Sequence, residues 1–287
     1  MIGAARGLPR KGQLFFQQVA RLTFWSTTPY IPPMLLAIDI GNTNTVVGVY
    51  DRDALKGSFR VASQHHMTAD EAGFFVTGLL SRMNVEPTTV DKVIIGSVVP
   101  QLTTVFETTA RKYFGCEPIT VTARTKLPVR VEVERPDEVG ADRIANAAAG
   151  FNRFGGPVIV VDFGTATTFD VVNKEGAYIG GVIIPGPETA MADLARRAAR
   201  LFEIRIEPPD RVVGKTTAGA LKSGMFFGTV GQVDYIIERI LDETGFDNCM
   251  IVATGGLAGG LEKHSRYIKL VDPDLTLDGL RLIAKLN

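Results

Sequence analysis

The chain has 287 residues, enough for one large domain or two of ordinary size. Hydrophobic residues make up 45% and charged residues 22%, and no apolar run is long enough to cross a membrane. The 31 basic residues balance the 31 acidic ones, so the net charge gives no reason to expect nucleic acid as a partner. The two cysteines, Cys116 and Cys249, are far apart in the sequence; they form no disulfide framework and favour a reducing, cytoplasmic setting.

Residues 1–33 differ in composition from the rest of the chain. They contain four basic residues and no acidic one, and they end in a proline-rich stretch at 29–33. Transit peptides are also basic and poor in acid, but the apolar stretch here is too short and broken for a secretory signal. We expect residues 1–33 to be a disordered extension upstream of a natural start at Met34. Without this extension, the chain has 27 basic and 31 acidic residues and a net charge of −4.

Residues 34–51 predict a hairpin of two strands, 35–40 and 45–50, joined by a polar turn. Asp39 ends the first strand, and Gly41 lets the backbone approach a ligand because it has no Cβ. The turn amides and hydroxyls can donate hydrogen bonds to phosphate, and an acid beside them suits a Mg²⁺ ion. The alternative is an Asx-type turn in which Asp39 bonds only to nearby amides.

The rest of the first half predicts alternating strands and helices. The first of the helices, at 68–82, has Thr68 as its N-cap and Glu71 three residues later. Its apolar side chains lie near one face, and they are Phe74, Phe75, Leu79 and Leu80. This order implies an α/β domain with a mixed sheet. The predicted elements are strands at 58–62, 92–99 and 118–121 and helices at 68–82 and 101–114.

Residues 134–151 carry a second chemical cluster. Asp142 and Arg143 stand side by side before a helix at 144–150, and Gly150 suits the position just after that helix. Asp142 is either only an N-cap or a carboxylate that accepts a hydroxyl proton from a small polar substrate.

Residues 160–172 repeat the layout of the first hairpin. An apolar strand ends in Asp162, followed by Gly164 and a second strand. A threonine follows the aspartate by six positions in both copies, Thr45 in the first and Thr168 in the second. Two such hairpins suggest a duplicated domain with a phosphate ligand held between the halves.

The remaining sequence predicts further strands and helices. Gly214–Thr217 is not a P-loop, because Pro209 stands where that motif needs glycine. The glycines at 255–260 could let the adenosine end of a nucleotide lie on the backbone, although they lack the dinucleotide-binding spacing. The predicted elements are strands at 157–163, 177–184 and 250–253 and helices at 188–202, 218–241 and 279–285, the last with Asp278 as its cap.

Four motifs together resemble those of the type III pantothenate kinases, in the superfamily of acetate kinase, sugar kinases and actin. They are Asp39–Thr45, Gly140–Arg143, Asp162–Thr167, and Gly180-Gly181 with Pro185-Gly186. The likeness covers residues 34–287. It implies an α/β fold of two duplicated ribonuclease-H-like (actin-like ATPase) domains, 34–150 and 151–287, with mixed sheets and a nucleotide cleft between them. It also implies ATP-dependent phosphorylation of pantothenate, the first step of coenzyme A biosynthesis, by a cytoplasmic homodimer that requires potassium or ammonium.

The resemblance also implies roles for individual residues. Asp142 would be the general base, and Asp162 would bind the monovalent cation. Two departures are visible: Thr216 stands where asparagine is common, and Val133 where a substrate-contacting tyrosine is common. The ATP phosphates, with Mg²⁺ near Asp39, would be held by Asp39, Ile40, Gly41, Asn42, Thr43, Asn44, Thr45, Val46 and Thr165, and pantothenate would be held by Gly140, Ala141, Asp142, Arg143 and Thr217.

Two other classes of function remain open. A non-catalytic relative could act as an accessory factor for gene regulation by binding partners, but such a descendant would be free to lose Asp142 or Asp162, and both are present. A kinase for another small hydroxy acid or sugar is excluded only through the family match. We expect neither nucleic acid nor a membrane among the partners.

Overall fold

The computed structural model describes residues 33–287, so the expectations for residues 1–32 lie outside the described residues. The first part of this range forms a five-stranded sheet in the order β3-β2-β1-β4-β5. β1 pairs antiparallel with β2 and parallel with β4, which confirms the predicted meander and mixed sheet. The elements are β1 (Met34–Ile40), β2 (Asn44–Asp51), β3 (Ala54–Ala62), α1 (Ala69–Arg82), β4 (Val90–Ser97), α2 (Pro100–Thr109) and β5 (Ile119–Thr120).

The second part forms a six-stranded sheet in the order β11-β10-β7-β8-β9-β6. β7 pairs antiparallel with β8 and parallel with β10, as β1 does with β2 and β4. The elements are β6 (Arg130–Val131), α3 (Ala141–Phe154), β7 (Val158–Phe163), β8 (Ala166–Val172), β9 (Ala177–Pro185), α4 (Pro187–Arg197), α5 (Thr217–Thr244), β10 (Met250–Gly255), α6 (Ala258–Leu261), β11 (Leu270–Val271) and α7 (Leu275–Leu286).

β1 and β7 read as continuous apolar runs because each is covered on both faces. In β1, Leu36 and Ile38 pack under α1 and α2, whereas Ala37 faces α3 and α7. In β7, Val160 faces the same two helices, and the alternate positions pack against α5. α3 and α7 therefore lie in a core shared by the two sheets.

Two segments cross between the halves of the sequence. β6 lies before residue 150 but pairs with β9 of the second sheet. α7 lies after it but packs on α3 and on β1 and β4 of the first sheet. We therefore propose 34–150 and 151–287 as two halves that exchange these two segments.

The two hairpins differ in register by one residue. Asp39 lies opposite Val46, whereas Asp162 lies opposite Thr168. The equal spacing of Thr45 and Thr168 from the aspartates therefore does not give them equal positions. Thr45 is 2% exposed and its hydroxyl pairs with Ser63 Oγ at 2.9 Å.

Helix α1 begins as predicted, and Leu80 of its predicted apolar face is buried, but Phe74 of that face is not. Thr68 and Glu71 form a reciprocal capping box. Phe74, expected on the buried face, is 82% exposed. Gly73 faces inward instead, because the Tyr113 ring occupies the space where a side chain would lie, 2.3 Å from an added Cβ.

Several predicted helix boundaries were wrong. The predicted end of the second helix at residue 114 is confirmed, because one π-helical turn carries α2 from Thr109 on to Phe114, whereas α4 ends at Arg197 before an irregular segment that contains Pro208 and Pro209. Gly150 lies inside α3, where an added Cβ would meet Val160 at 2.9 Å; the helix ends before Gly155. α7 starts at Leu275, so Asp278 lies in its first turn and is not its cap.

The long helix predicted after residue 217 is confirmed as α5. Within residues 33–287, every helix is too short or too polar to span a lipid bilayer.

Candidate active site

The turns of the β1–β2 and β7–β8 hairpins face each other across a cleft of about 440 Å³. At their tips, Thr43 Oγ1 and Thr165 Oγ1 are 2.8 Å apart. Each turn is closed by one backbone hydrogen bond, from Gly41 N to Asn44 O at 2.9 Å and from Gly164 N to Ala166 O at 3.0 Å. The cleft therefore lies between two backbone turns rich in hydrogen-bond donors, an arrangement that suits phosphate oxygens.

Four carboxylates line this cleft, and three of them, Asp39, Asp142 and Asp162, were predicted from the sequence; the fourth is Asp274. Burial, together with the negative charges of Asp142 and Asp162, raises the pKa of Asp39 to about 8, and the positive charge of Arg60 opposes this shift. Burial also raises the pKa of Asp162 to about 6, against a hydrogen bond from Asn146. Carboxylates that repel one another in a partly desolvated cleft favour the binding of protons or cations.

Asp142 belongs to the first turn of α3. Gly140 occupies the N-cap position, and no side chain caps the helix, so the interpretation of Asp142 as an N-cap was wrong. Its Oδ1 accepts a hydrogen bond from the backbone amide of Arg143 at 2.8 Å. Burial raises its pKa, and this hydrogen bond acts in the opposite direction. A partly buried carboxyl with a raised pKa is a stronger base than an ordinary aspartate.

The structure brings most of the predicted site residues together. Ile40, Thr45 and Ala141 are instead buried in the core, and Gly140 and Arg143 do not line the cleft. Thr217 is exposed at the start of α5 and does not line the cleft. The predicted residues that line it are Asp39, Gly41, Asn42, Thr43, Asn44, Val46, Asp142, Asp162 and Thr165.

Sequence reasoning missed several residues of the cleft. Arg60 reaches it from β3, a strand that alternates between exposed and half-buried positions. Thr254 lies beside Asp162 because β10 runs parallel to β7, and Gly255 and Gly256 follow it into the cleft. The carboxyl ends of parallel strands are where ligands bind in open α/β sheets, so Thr254 could have been found from the strand that precedes the glycines.

Two hydrogen bonds through the buried side chain of Asn146 connect α7 to Asp162 in the cleft. Asn146 is 0% exposed; its Nδ2 donates to Asp162 Oδ2 at 3.0 Å, and its Oδ1 accepts from Thr276 Oγ1 at 2.8 Å. Asp162 thus has a fixed orientation set by two helices that lie in the shared core.

The paired β-meander sheets, the two facing turns and the acidic cleft define the class of the actin-like ATPases and sugar kinases, phosphotransferases with a nucleotide cleft between two ribonuclease-H-like halves. The family model described as type III pantothenate kinase matches residues 35–239, and the chain belongs to this family.

Relatives at substantial identity agree with this assignment. A type III pantothenate kinase of Roseiflexus sp. is 45% identical over 254 residues, covering 88% of this chain and 99% of the relative. One of Agathobacter rectalis is 40% identical over 252 residues, covering 88% and 97%.

Among solved structures, a Campylobacter jejuni protein assigned to the Baf family of transcriptional activators aligns with a TM-score of 0.55 at 21% identity, over 88% of this chain and 98% of its own. The ROK hexokinase of Thermus thermophilus aligns with a TM-score of 0.50 at 13% identity, over 88% and 98%. These likenesses concern the fold, and they confirm the predicted fold class.

Proposed function

We propose that this chain transfers the γ-phosphoryl group of ATP to the hydroxyl of pantothenate, the first step of coenzyme A biosynthesis. Membership of the family implies ATP, a divalent metal and pantothenate. The observation that carries the proposal is the contact between Thr43 and Thr165, which joins two donor-rich turns at the cleft that Asp39, Asp142 and Asp162 line. Phosphoryl transfer needs positioning and charge neutralisation more than covalent assistance, and this cleft offers both.

The two turns would hold the ATP phosphates. In residues 33–287 no group of three or more acidic, histidine or cysteine side chains could hold a metal by itself. That fits Mg²⁺, which is usually bound by one or two carboxylates together with substrate phosphates. Asp39 would be its ligand, and the ion would neutralise charge on the phosphates when bound.

Asp142 would accept the proton of the pantothenate hydroxyl. Its place in the first turn of α3, its orientation by the Arg143 amide and its raised pKa support this role. A positioned carboxylate of this kind contributes roughly 10²–10⁴-fold to the rate.

Asp162 would bind a monovalent cation, potassium or ammonium. Its carboxylate is already oriented by Asn146, and a cation would relieve its repulsion with Asp39 and Asp142.

Pantothenate would lie beside Gly140–Arg143. Thr217, also assigned to the substrate, lies outside the cleft of one chain, so its role requires a second copy or a movement of α5. Exposed large hydrophobic side chains on β9, on α5 and in the segment before α5 would supply apolar surface for the interface of a homodimer. They are Ile179, Ile183, Val212, Val213, Phe227 and Tyr235.

Val133 bears on the affinity for this substrate. It lies beside Gly180, where an added Cβ would be 4.0 Å from Val133 Cγ1. A tyrosine hydroxyl is absent there, so we propose that one pantothenate contact common in the family is missing while the phosphoryl-transfer residues are intact.

The reaction can be tested with the purified full chain, ATP and Mg²⁺, with pantothenate present or absent and with potassium or sodium as the salt. We expect ADP release that depends on pantothenate and potassium, and a new phosphate monoester in the ³¹P NMR spectrum. Sedimentation equilibrium on the same sample should give twice the chain mass. A cytoplasmic location, without nucleic-acid or membrane partners, belongs to the same proposal.

Asp142→Asn is the control for contaminating kinases and should abolish the signal. ATP hydrolysis without a pantothenate product would move the assignment to another hydroxyl acceptor. ATP binding without any turnover would favour an accessory role.

A further inference from the structure

Asp170 is a fully buried carboxylate outside the predicted site. It lies in the middle of β8, opposite Val160 of β7 and Gly181 of β9, and is 0% exposed. Its side of the sheet packs against the alanine-rich α3. A carboxylate in such an apolar layer is costly unless a charged partner and hydrogen bonds compensate it.

Arg143 is that partner. Its Nε donates to Asp170 Oδ1 at 2.7 Å, and its Nη2 approaches the Phe169 carbonyl oxygen at 3.4 Å. The Tyr178 ring lies 5.7 Å from the guanidinium carbon, and the Tyr178 hydroxyl donates to Asp170 at 3.4 Å. The guanidinium is therefore fixed in one plane by groups from β8 and β9.

Gly181 provides the space for this arrangement. A Cβ at this position would lie 2.6 Å from Arg143 Nη2 and 1.7 Å from the Phe169 carbonyl oxygen. The second glycine of the Gly180-Gly181 motif thus allows the arginine to lie against the sheet.

The guanidinium retains binding capacity: Arg143 does not itself line the cleft described above, but 14% of its side chain is exposed. Within residues 33–287 its hydrogen bonds use Nε and Nη2, which leaves Nη1 for a ligand. The hydrogen bond that orients Asp142 comes from the Arg143 backbone amide, so it does not depend on where the side chain points.

We propose that Asp170 is a positioning residue that orients the Arg143 guanidinium for binding the acceptor substrate. The inference rests on the proposed function, in which Arg143 contacts pantothenate. Because Asp142 is oriented by the backbone amide of Arg143 and not by its side chain, Asp170 acts on substrate affinity and not on the chemical step.

The test compares the steady-state kinetics of the full-length Asp170→Asn and Asp170→Ala variants with wild type. We expect the KM for pantothenate to rise about tenfold in Asp170→Ala, the value of one charge-assisted hydrogen bond, and less in Asp170→Asn, which keeps an acceptor for Nε. The kcat at saturating pantothenate and the KM for ATP should change little.

Asp234→Asn is the matched control. Asp234 is also buried and also pairs with an arginine, accepting from Arg266 Nε at 3.2 Å, but it joins α5 to a loop away from the cleft. The Asp234→Asn variant should have a lower midpoint of thermal unfolding than wild type and an unchanged KM for pantothenate.

A double-mutant cycle removes the ambiguity of a folding defect. In an Arg143→Ala background, Asp170→Asn should have no further effect on the KM for pantothenate, because the group it orients is gone. An equal effect in both backgrounds, or an unchanged KM in both Asp170 variants, would overturn the inference alone. A wild-type chain that does not phosphorylate pantothenate would overturn the proposed function, and the inference with it.

Discussion

The hydroxyl oxygens of Thr43 and Thr165 lie 2.8 Å apart, although 122 residues separate the two threonines in the sequence. One belongs to the β1–β2 turn and the other to the β7–β8 turn. Two exposed hydroxyls that satisfy each other can rotate toward a phosphate oxygen at little cost, because the turn backbones stay as they are.

Replacing Thr165 with alanine should therefore weaken ATP binding selectively. Its carbonyl oxygen, which accepts from Gly186 N and Thr189 Oγ1, is unaffected by the change. We expect the KM for ATP to rise about tenfold, the value of one hydrogen bond to a charged group. Thr77→Ala is the control, since among the described residues that hydroxyl donates only to carbonyl oxygens within α1. A Thr165→Ala enzyme with normal KM for ATP would remove this threonine from the phosphate site.

Asp142→Asn should keep ATP binding and lose turnover by roughly 10²–10⁴-fold, because an amide does not accept the hydroxyl proton. Isothermal titration with a non-hydrolysable ATP analogue and a single-turnover assay measure the two quantities separately. Asp137→Asn, at an exposed ion pair with Arg124, should behave as wild type. Near-normal turnover in Asp142→Asn would exclude it as the base.

The stability of the ligand-free protein should depend on pH through Asp39. Its pKa is raised to about 8 in the folded state, against about 4 for an unfolded chain, so the folded state binds the extra proton between these values. The free energy of unfolding should then fall as pH rises through this window, by of the order of 1 kcal/mol per pH unit for one such carboxyl. Asp162, with a folded pKa of about 6, adds to the slope only up to that pH.

Asp39→Asn isolates this contribution. Urea unfolding at a series of pH values should show the variant more stable than wild type at pH 8 and flatter between pH 6 and 8. Identical pH profiles for the two proteins would mean that Asp39 is ionised in the folded protein without penalty.

Gly279 and Gly78 make a matched pair for the packing of α7. An added Cβ at Gly279 would lie 1.9 Å from the Ala145 carbonyl oxygen, whereas one at Gly78 would have no atom of residues 33–287 within 4 Å. We expect Gly279→Ala to lower the free energy of unfolding by about 3 kcal/mol. Gly78→Ala, inside α1, should raise it by about 0.5–1 kcal/mol. Equal effects in urea unfolding would contradict the close contact of α3 and α7.

The two hairpins could be predicted because a carboxylate at the end of an apolar strand is conspicuous in the sequence. Asp39 and Asp162 both follow this pattern, and both line the cleft. Their different registers could not be predicted, since the turn after Asp39 is one residue longer and spacing alone does not reveal it.

Long-range contacts account for most of what the sequence concealed. Nothing in the sequence distinguishes Asp170 from other strand residues, because its partner Arg143 lies on another element, helix α3. In the sequence, Phe74 belongs to an apolar helix face, but it is exposed in the structure, whereas the neighbouring Gly73 is buried against the ring of Tyr113, from the turn after α2. Arg60 reaches the cleft because the register places it opposite Val46, which lies opposite Asp39.

The position of α7 has a consequence for how the protein is made. Leu280 and Ile283 of this helix cover the face of the first sheet that contains Ala37 and Ile94, and Lys92 Nζ donates to the Ala284 carbonyl oxygen at 2.9 Å. During synthesis, the strands of this sheet leave the ribosome long before residues 275–286 do, and that face stays uncovered in the interval. The core of the first sheet is therefore completed only after residues 275–286 have left the ribosome.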